Sequence, residues 1–354
     1  MKLRVLHCQL AIALGLASGL AQAQSSIALY GLIDVGITYY SNAATAGGNA
    51  SVVRMDSGIA QASRWGFRGS EDLGGGRSAI FTLESGFTVD DGVPGQGGAI
   101  FGRQAFVGLR DKTLGTVTLG RQYDFMPTLG AAYAMGAQSA AGSFAWGLHA
   151  DAANNLALND HTFAGDRTNN AVKYESSSLG GLSFGLMYGF GEVPGNFSAG
   201  RTVSARASYD SGPFSTGVAY TDVRNAAGNA SSRMYGWGAS YQFGRLKPFG
   251  LITQVRNTAT GARATTYDAG ATYALTPALD FSAGYQYQVR NQDVGDAQVV
   301  VAVLDYKFSK RTDVYLVAAY DRDKGYRAFP VFGGGIQSGT GVQTAARIGI
   351  RHRF

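Results

Sequence analysis

The sequence predicts an all-β fold: a sixteen-stranded antiparallel β-barrel that spans a membrane. Three observations point there. Apolar and polar residues alternate at period two in segment after segment. Short and long connections alternate between those segments. Charged residues make up only 15% of the chain, against roughly 25% in a soluble domain, while 51 Gly, 19 Tyr and 19 Phe accompany only 7 Pro. Glycine and aromatics in that balance suit strands and tight turns. A mean hydropathy of −0.04 excludes a disordered chain. Beyond the N-terminus no uncharged apolar run reaches the length of a membrane helix, which excludes a helical bundle in the bilayer.

The first element is an export leader, residues 1–23. Lys2 and Arg4 form its positive end, and Leu10 to Leu20 is apolar but too short to span a bilayer. Ala21-Gln22-Ala23 has the small-x-small form of a cleavage site. The competing reading is a buried N-terminal helix. Cleavage removes two positive charges and no negative ones, so the net charge falls from +6 to +4. It also removes Cys8, the single cysteine, and with it disulfides, zinc–thiolate sites and thiol nucleophiles. The mature unit is then one barrel domain, 24–354.

Strands are expected near 27–41, 52–69, 77–89, 100–110, 115–122, 168–176, 181–190, 202–210, 214–222, 233–243, 246–257, 264–275, 279–290, 297–308, 312–322 and 343–354. From Leu279 to Arg290 the alternation is plain. Phe281, Ala283, Tyr285, Tyr287 and Val289 take one face; Ser282, Gly284, Gln286, Gln288 and Arg290 take the other. The apolar rows carry Tyr and Phe toward strand ends, as an aromatic belt requires. The polar rows hold Gly, Ser and charges, as a water-filled lumen allows. Lipid offers no partner to a free N–H or C=O, so such a sheet must close on itself. Sixteen strands enclose a lumen too wide for side chains to fill.

Short turns such as Ser211-Gly212-Pro213 and Thr276-Pro277-Ala278 mark one rim. Longer connections, among them 42–51, 90–99, 191–201, 223–232 and 323–342, mark the other. One connection, 123–167, is much longer than the rest. Such length usually signals function. Its composition is small and neutral, as in Leu129-Gly130-Ala131-Ala132-Tyr133-Ala134. That suits a segment folded into the barrel better than an exposed external loop, which is the plain alternative.

Several stretches taken together carry a resemblance. They are Leu29-Tyr30-Gly31; Ser63-Arg64-Trp65-Gly66-Phe67-Arg68-Gly69-Ser70-Glu71-Asp72-Leu73-Gly74; Phe101-Gly102-Arg103-Gln104-Ala105-Phe106-Val107-Gly108-Leu109; Gly115-Thr116-Val117-Thr118-Leu119-Gly120-Arg121-Gln122; Asn170-Ala171-Val172-Lys173-Tyr174; and Gly349-Ile350-Arg351-His352-Arg353-Phe354. They run in order along the mature chain, which resembles a Gram-negative general porin of the beta-proteobacterial type, the group of the Burkholderia, Delftia and Neisseria porins. The resemblance implies a homotrimer, a third loop folded inward as a constriction, and a ladder of arginines on the wall facing that loop. By motif the ladder is Arg64, Arg103 and Arg167. The Pro-Glu-Phe-Gly-Gly turn of enterobacterial porins is absent from the third loop.

Alternation independently puts Arg64 on the face of Gly66 and Arg68, opposite Trp65 and Phe67. Arg103 opposes Gln104 and Phe106, while Arg167 shares a face with Lys173 and Glu175. An arginine facing lipid at mid-barrel costs roughly 2–4 kcal/mol, so the lumen is its place. The competing role is to solvate the wall or bind loop carboxylates. Asp151 and Asp160 are the candidate third-loop acids, while Asp124 and Asp166 equally suit a cap or anchor. Asp34, Arg68 and Lys173 are expected to face the lumen. Arg121 shares the outward face of Val117 and Leu119, which suggests a trimer contact with a neighbour's Asp90 or Asp91. The terminal Phe354, with Ile350, Ile348 and Ala346 alternating behind it, resembles the signal read by the outer-membrane barrel assembly machinery; His352 departs from that pattern.

The expected activity is passive: general diffusion of small hydrophilic solutes and ions through a water-filled channel that prefers anions. Its setting is the Gram-negative outer membrane, among lipid and lipopolysaccharide. The alternative is a substrate-specific outer-membrane channel for phosphate, an organic anion or a sugar. An enzyme is not expected. The mature chain has only His149, His161 and His352 and no G-x-S-x-G elbow. Gly74-Gly75-Gly76 lacks the Gly-Lys-Ser/Thr of a phosphate loop, and the histidines lack a metal spacing. No cofactor, metal or nucleic acid is expected; the basic residues are scattered over strands. An adhesin or purely structural barrel finds no passenger domain or repeat to support it.

Overall fold

The computed structural model describes residues 26–146, 148, 158–163, 167–325, 328 and 336–354. The leader and Asp151 lie outside them. The described chain forms β1 (Ser26–Thr45), β2 (Gly48–Ser57), β3 (Arg64–Gly74), β4 (Arg77–Gly86), β5 (Gln104–Asp111), β6 (Gly115–Gln122), β7 (Thr168–Glu175), β8 (Leu182–Gly189), β9 (Thr202–Ser211), β10 (Phe214–Arg224), β11 (Ser231–Tyr241), β12 (Leu246–Asn257), β13 (Arg263–Ala274), β14 (Leu279–Arg290), β15 (Asp296–Lys307), β16 (Thr312–Asp323) and β17 (Val342–Arg353). Each pairs antiparallel with its neighbours, and β1 closes on β17 from Leu32↔Arg353 to Tyr40↔Ala345. No sheet edge is left open, as lipid demands.

Seventeen segments make sixteen staves. β2 and β3 both pair with β1, one after the other, so together they are a single barrel strand broken at 58–63. The sequence predicts that strand as unbroken over 52–69. The break has a local cause. Gly58 takes a φ of 70°, and Asp34 holds the bend that follows. Its carbonyl accepts from the Gly58 N–H at 2.8 Å, and its carboxylate Oδ2 accepts from the Gln61 N–H at 2.7 Å. The connection expected over 42–51 is also absent as a loop. β1 and β2 run on to pair Thr45 with Gly48, with a tight turn between.

Alternation becomes two rows. On β14, Phe281, Tyr285 and Val289 are exposed; Ser282, Gln286, Gln288 and Arg290 are buried. The buried row is polar because of what lies against it. Residues 123–146, 148 and 158–163 pack on the polar faces of β9 to β15. Helix α1 (Phe125–Tyr133) starts at Asp124, whose carboxylate accepts from the Met126 N–H at 2.8 Å as an N-cap. A single helical turn, α2 (Met135–Gln138), follows.

Glycines on the polar rows are the seats for this segment. A β-carbon on Gly185 would overlap the Phe125 ring. One on Gly236 would overlap Leu129, one on Gly238 would overlap Tyr133, and one on Gly284 would overlap Met135. Polar ends lock the same surface. The Met135 N–H donates to Asp268 at 3.0 Å, and Lys247 Nζ donates to the Gln138 side chain at 2.7 Å. Gln286 donates to the Ala145 carbonyl and Gln288 to that of Leu148. On the far side the Ser143 N–H donates to the Ile59 carbonyl at 2.8 Å, in the broken part of the second stave.

Candidate functional site

The three arginines singled out by motif meet at one place. Tyr30, Gly66 and Glu84 lie side by side across β1, β3 and β4. Gly66 has no side chain, so the Tyr30 hydroxyl reaches over it and donates to Glu84 at 3.0 Å. Glu84 is then the shared anion of the group. Arg103 Nε donates to it at 2.8 Å, and Arg64 Nε lies 3.6 Å from its other oxygen. Arg103 is only 3% exposed, so this charge-assisted bond offsets its lost hydration.

Tyr123 links the third arginine. Its hydroxyl accepts from Arg103 at 2.9 Å and from Arg167 at 2.7 Å. The Arg167 guanidinium also sits 4.8 Å from the centre of the Tyr123 ring, within cation–π range. Burial pulls the Arg167 guanidinium below its ordinary pKa, and Tyr123 offsets part of that shift. Among the described residues, three guanidiniums gather here around one carboxylate and one phenol. The three arginines line a cavity of about 960 Å³, which is also lined by Thr128, Ala131 and Gln138 of the packed segment. Asp305, Arg351 and Arg353 line the same cavity.

The other expected residues fall as follows. Arg68 is exposed, with its guanidinium 5.1 Å from the Tyr30 ring centre. Lys173 is buried, donates to the Tyr123 carbonyl at 3.3 Å and lies 4.5 Å from the Phe125 ring centre. Arg206 approaches the same ring at 5.4 Å, so two cations flank the seated Phe125. Asp34 is on the polar face but fully buried. Tyr315 donates to it at 2.5 Å and Arg347 lies 3.7 Å away, so it pins the bend at 58–63 and is no free charge on the wall.

Asp160 is 1% exposed. Its Oδ1 accepts from the Thr162 N–H at 3.0 Å, and its Oδ2 accepts from the Thr253 hydroxyl on β12. That position ties the segment to the wall instead of offering a carboxylate to the cavity. Tyr133, whose hydroxyl bonds Ser215 at 2.8 Å, has its pKa raised by burial. Arg121 is half-buried at the exposed rows, where it donates to the Gly102 carbonyl at 2.8 Å and to the Asn169 side chain. The backbone of Phe354 exchanges two bonds with Gly31, both 3.1 Å, and its ring covers that glycine.

Glu84 and Tyr123 escaped the sequence reading. Glu84 carried a usable signal, since a carboxylate in mid-strand is as costly toward lipid as an arginine. Tyr123 carried none, because an aromatic at a strand end reads as part of the belt. Among the described residues no cluster of His, Cys, Asp and Glu suits a metal ion.

Comparisons with known proteins bear on the family and the fold. The Gram-negative porin family model matches residues 10–326. Outer membrane porin protein 32 of Delftia acidovorans is 32% identical over 358 residues, 98% of this chain and 99% of its own. An outer membrane porin protein of Bordetella pertussis is 33% identical over 250 residues, a match that spans 62% of each chain. The solved anion-selective porin of Comamonas acidovorans superposes with a TM-score of 0.80 at 28% identity, covering 94% of this chain and 100% of that one. A closed sixteen-stave barrel with a lined cavity, matched along nearly its whole length, belongs to the Gram-negative porin family, and its place is the outer membrane.

Proposed function

We propose that this porin is a passive, anion-preferring diffusion channel whose selectivity element is the group of Arg64, Arg103 and Arg167. The carrying observation is the convergence of these three guanidiniums on one carboxylate and one phenol at a single cavity wall. Residues 123–146 and 158–163 lie across the lumen and narrow it; their contacts with the polar rows of β9 to β15 and with Ile59 support this. A net positive wall in a narrow, low-dielectric passage concentrates anions and repels cations. No bond is made or broken, and no cofactor enters. Glu84 moderates the field, and Tyr123 holds two like charges close together.

The assembled unit in this reading is a homotrimer, with Arg121 near the contact, as its place among exposed rows supports. Residues 1–23 are a cleaved leader, and Phe354 is the residue read during barrel assembly. Deleting Phe354 lowers the amount of assembled protein; normal assembly would remove that role. The test of function is the reversal potential of the purified protein in a planar bilayer under a salt gradient. Anion preference is expected, and cation preference would overturn the reading. Saturable block by one solute would mark a substrate-specific channel instead.

A further inference from the structure

Among the described residues, the cavity that Arg64, Arg103 and Arg167 line has two acids on its wall, Glu84 and Asp305. Their surroundings differ. Glu84 accepts hydrogen bonds from Arg103 at 2.8 Å and from Tyr30 at 3.0 Å, with Arg64 3.6 Å away. Asp305, on β15, accepts no hydrogen bond from the described residues. Its Oδ1 is buried without a partner, and the Arg351 guanidinium lies 3.6 Å from its Oδ2. Arg353 pairs with Leu32, and Leu32 with Arg64, so the C-terminal strand continues the wall that carries the arginine group. Asp305 lines the same cavity from two staves beyond that strand.

The groups around Asp305 are committed elsewhere. Arg351 holds Asp313, with its Nη2 at 3.0 Å and its Nε donating at 3.0 Å, and Arg353 donates to the same carboxylate at 2.8 Å. On β16, Tyr315 stands beside Asp305 in register, but its hydroxyl donates to Asp34. On β14, the residue directly opposite is Asp280, whose carboxylate is held by Lys307. Like charges directly opposed repel, so Asp280 adds nothing favourable. Burying carboxylate oxygens without hydrogen bonds costs stability. Packing does not account for Asp305; a place on the ion path does.

We propose that Asp305 is a selectivity-determining residue, a weakly partnered countercharge that admits cations to a path the arginine group would otherwise keep for anions. The proposal rests on the reading of this cavity as the ion path. A carboxylate locked to guanidiniums, as Glu84 is, has most of its field cancelled within a few ångströms. Asp305 lacks that cancellation, and a charge in a narrow passage with low-dielectric walls reaches further than in bulk water. The wall thus carries both signs, with the negative one supplied by a strand and not by the packed segment.

The test is the anion-to-cation permeability ratio of the purified protein in a planar bilayer, read from the reversal potential under a potassium chloride gradient at neutral pH. A unit charge felt across about 8 Å of water changes the local concentrations of anion and cation about twofold each, in opposite senses, so D305N should raise the ratio about fourfold. Cys8, the single cysteine, belongs to the leader, so D305C presents one thiol in the mature unit. Unmodified D305C should behave as D305N does. An anionic methanethiosulfonate should bring its ratio back toward the parent's, and a cationic one should raise it further. A structural role would not follow the sign of the reagent. The same response to both reagents would overturn the proposal, and this comparison of one assembled protein with itself decides even where D305N fails to assemble. An anion-preferring parent with an unchanged D305N would overturn this proposal alone, whereas a cation-preferring parent would overturn the reading of the arginine group on which it rests.

Discussion

Two halves of the barrel wall, built by the same alternation, have opposite interiors. Under α1 and α2, the polar faces of β8, β11 and β14 offer glycines, and side chains of the packed segment fill the space above Gly185, Gly236, Gly238 and Gly284. Around Gly66, the neighbours on β3 and β4 instead offer Arg64 and Glu84 to a cavity, and Tyr30 on β1 reaches over the glycine to Glu84. Here a glycine lets two polar side chains meet; there it receives an apolar one. The pattern of small and polar residues is the same in both halves. What differs is whether a distant stretch of chain supplies an apolar partner. The dry half seats the segment, and the wet half presents the arginine group.

The largest effect should come from the residue that joins the halves. Asp34 is buried with Arg347 and Tyr315 and holds the 58–63 bend, to which both Arg64 and Ser143 are attached. Asp34→Ala leaves Arg347 without that carboxylate in a buried site, a loss of about 3–5 kcal/mol. Heat-induced unfolding of the barrel on gels should then begin at a clearly lower temperature; an unchanged transition would detach Asp34 from that role.

Next comes the dry half. Gly238→Leu places atoms where the Tyr133 ring sits. Overpacking of this kind costs about 1–3 kcal/mol. The segment should shift from its seat, and single-channel conductance should become higher or noisier. A parent-like conductance would mean that the seat does not position the segment.

The wet half gives smaller, signed effects. Glu84→Gln removes the carboxylate that Arg64 and Arg103 share, so anion preference should rise, read as a larger reversal potential. A fall would show that Glu84 matters for holding the arginines, not for moderating them. Tyr123→Phe is the mildest change. It keeps the ring beside Arg167 and deletes the acceptor of two hydrogen bonds. Spreading Arg103 and Arg167 apart should lower anion preference slightly, with barrel stability reduced by a few kcal/mol at most.

The halves also differ in how far they can be read from sequence. Strands at 115–122, 246–257 and 279–290 appear as alternation predicts, because lipid on one side and water on the other impose a period of two on any stave. Arg64, on β3, lines the cavity on the face that alternation assigns it, whereas Arg103 stands one residue before β5. The glycine seats were not legible. The partner of Gly238 is Tyr133, more than a hundred residues away, and an unfilled lumen and a filled one ask for the same small residue. The break in the second stave was hidden likewise, since its cause is the carboxylate of Asp34 on the preceding strand. Asp160 read as a pore acid because it is a loop carboxylate; only packing shows Thr253 beside it.

The central claim is that the arginine group sets the sign of selectivity. The direct measurement is the zero-current potential of Arg64→Gln/Arg103→Gln/Arg167→Gln in a planar bilayer under a salt gradient, beside the parent. The parent should prefer anions, and the triple variant, with Glu84 left unopposed, should lose that preference or reverse it. An unchanged anion preference in the variant would contradict the account.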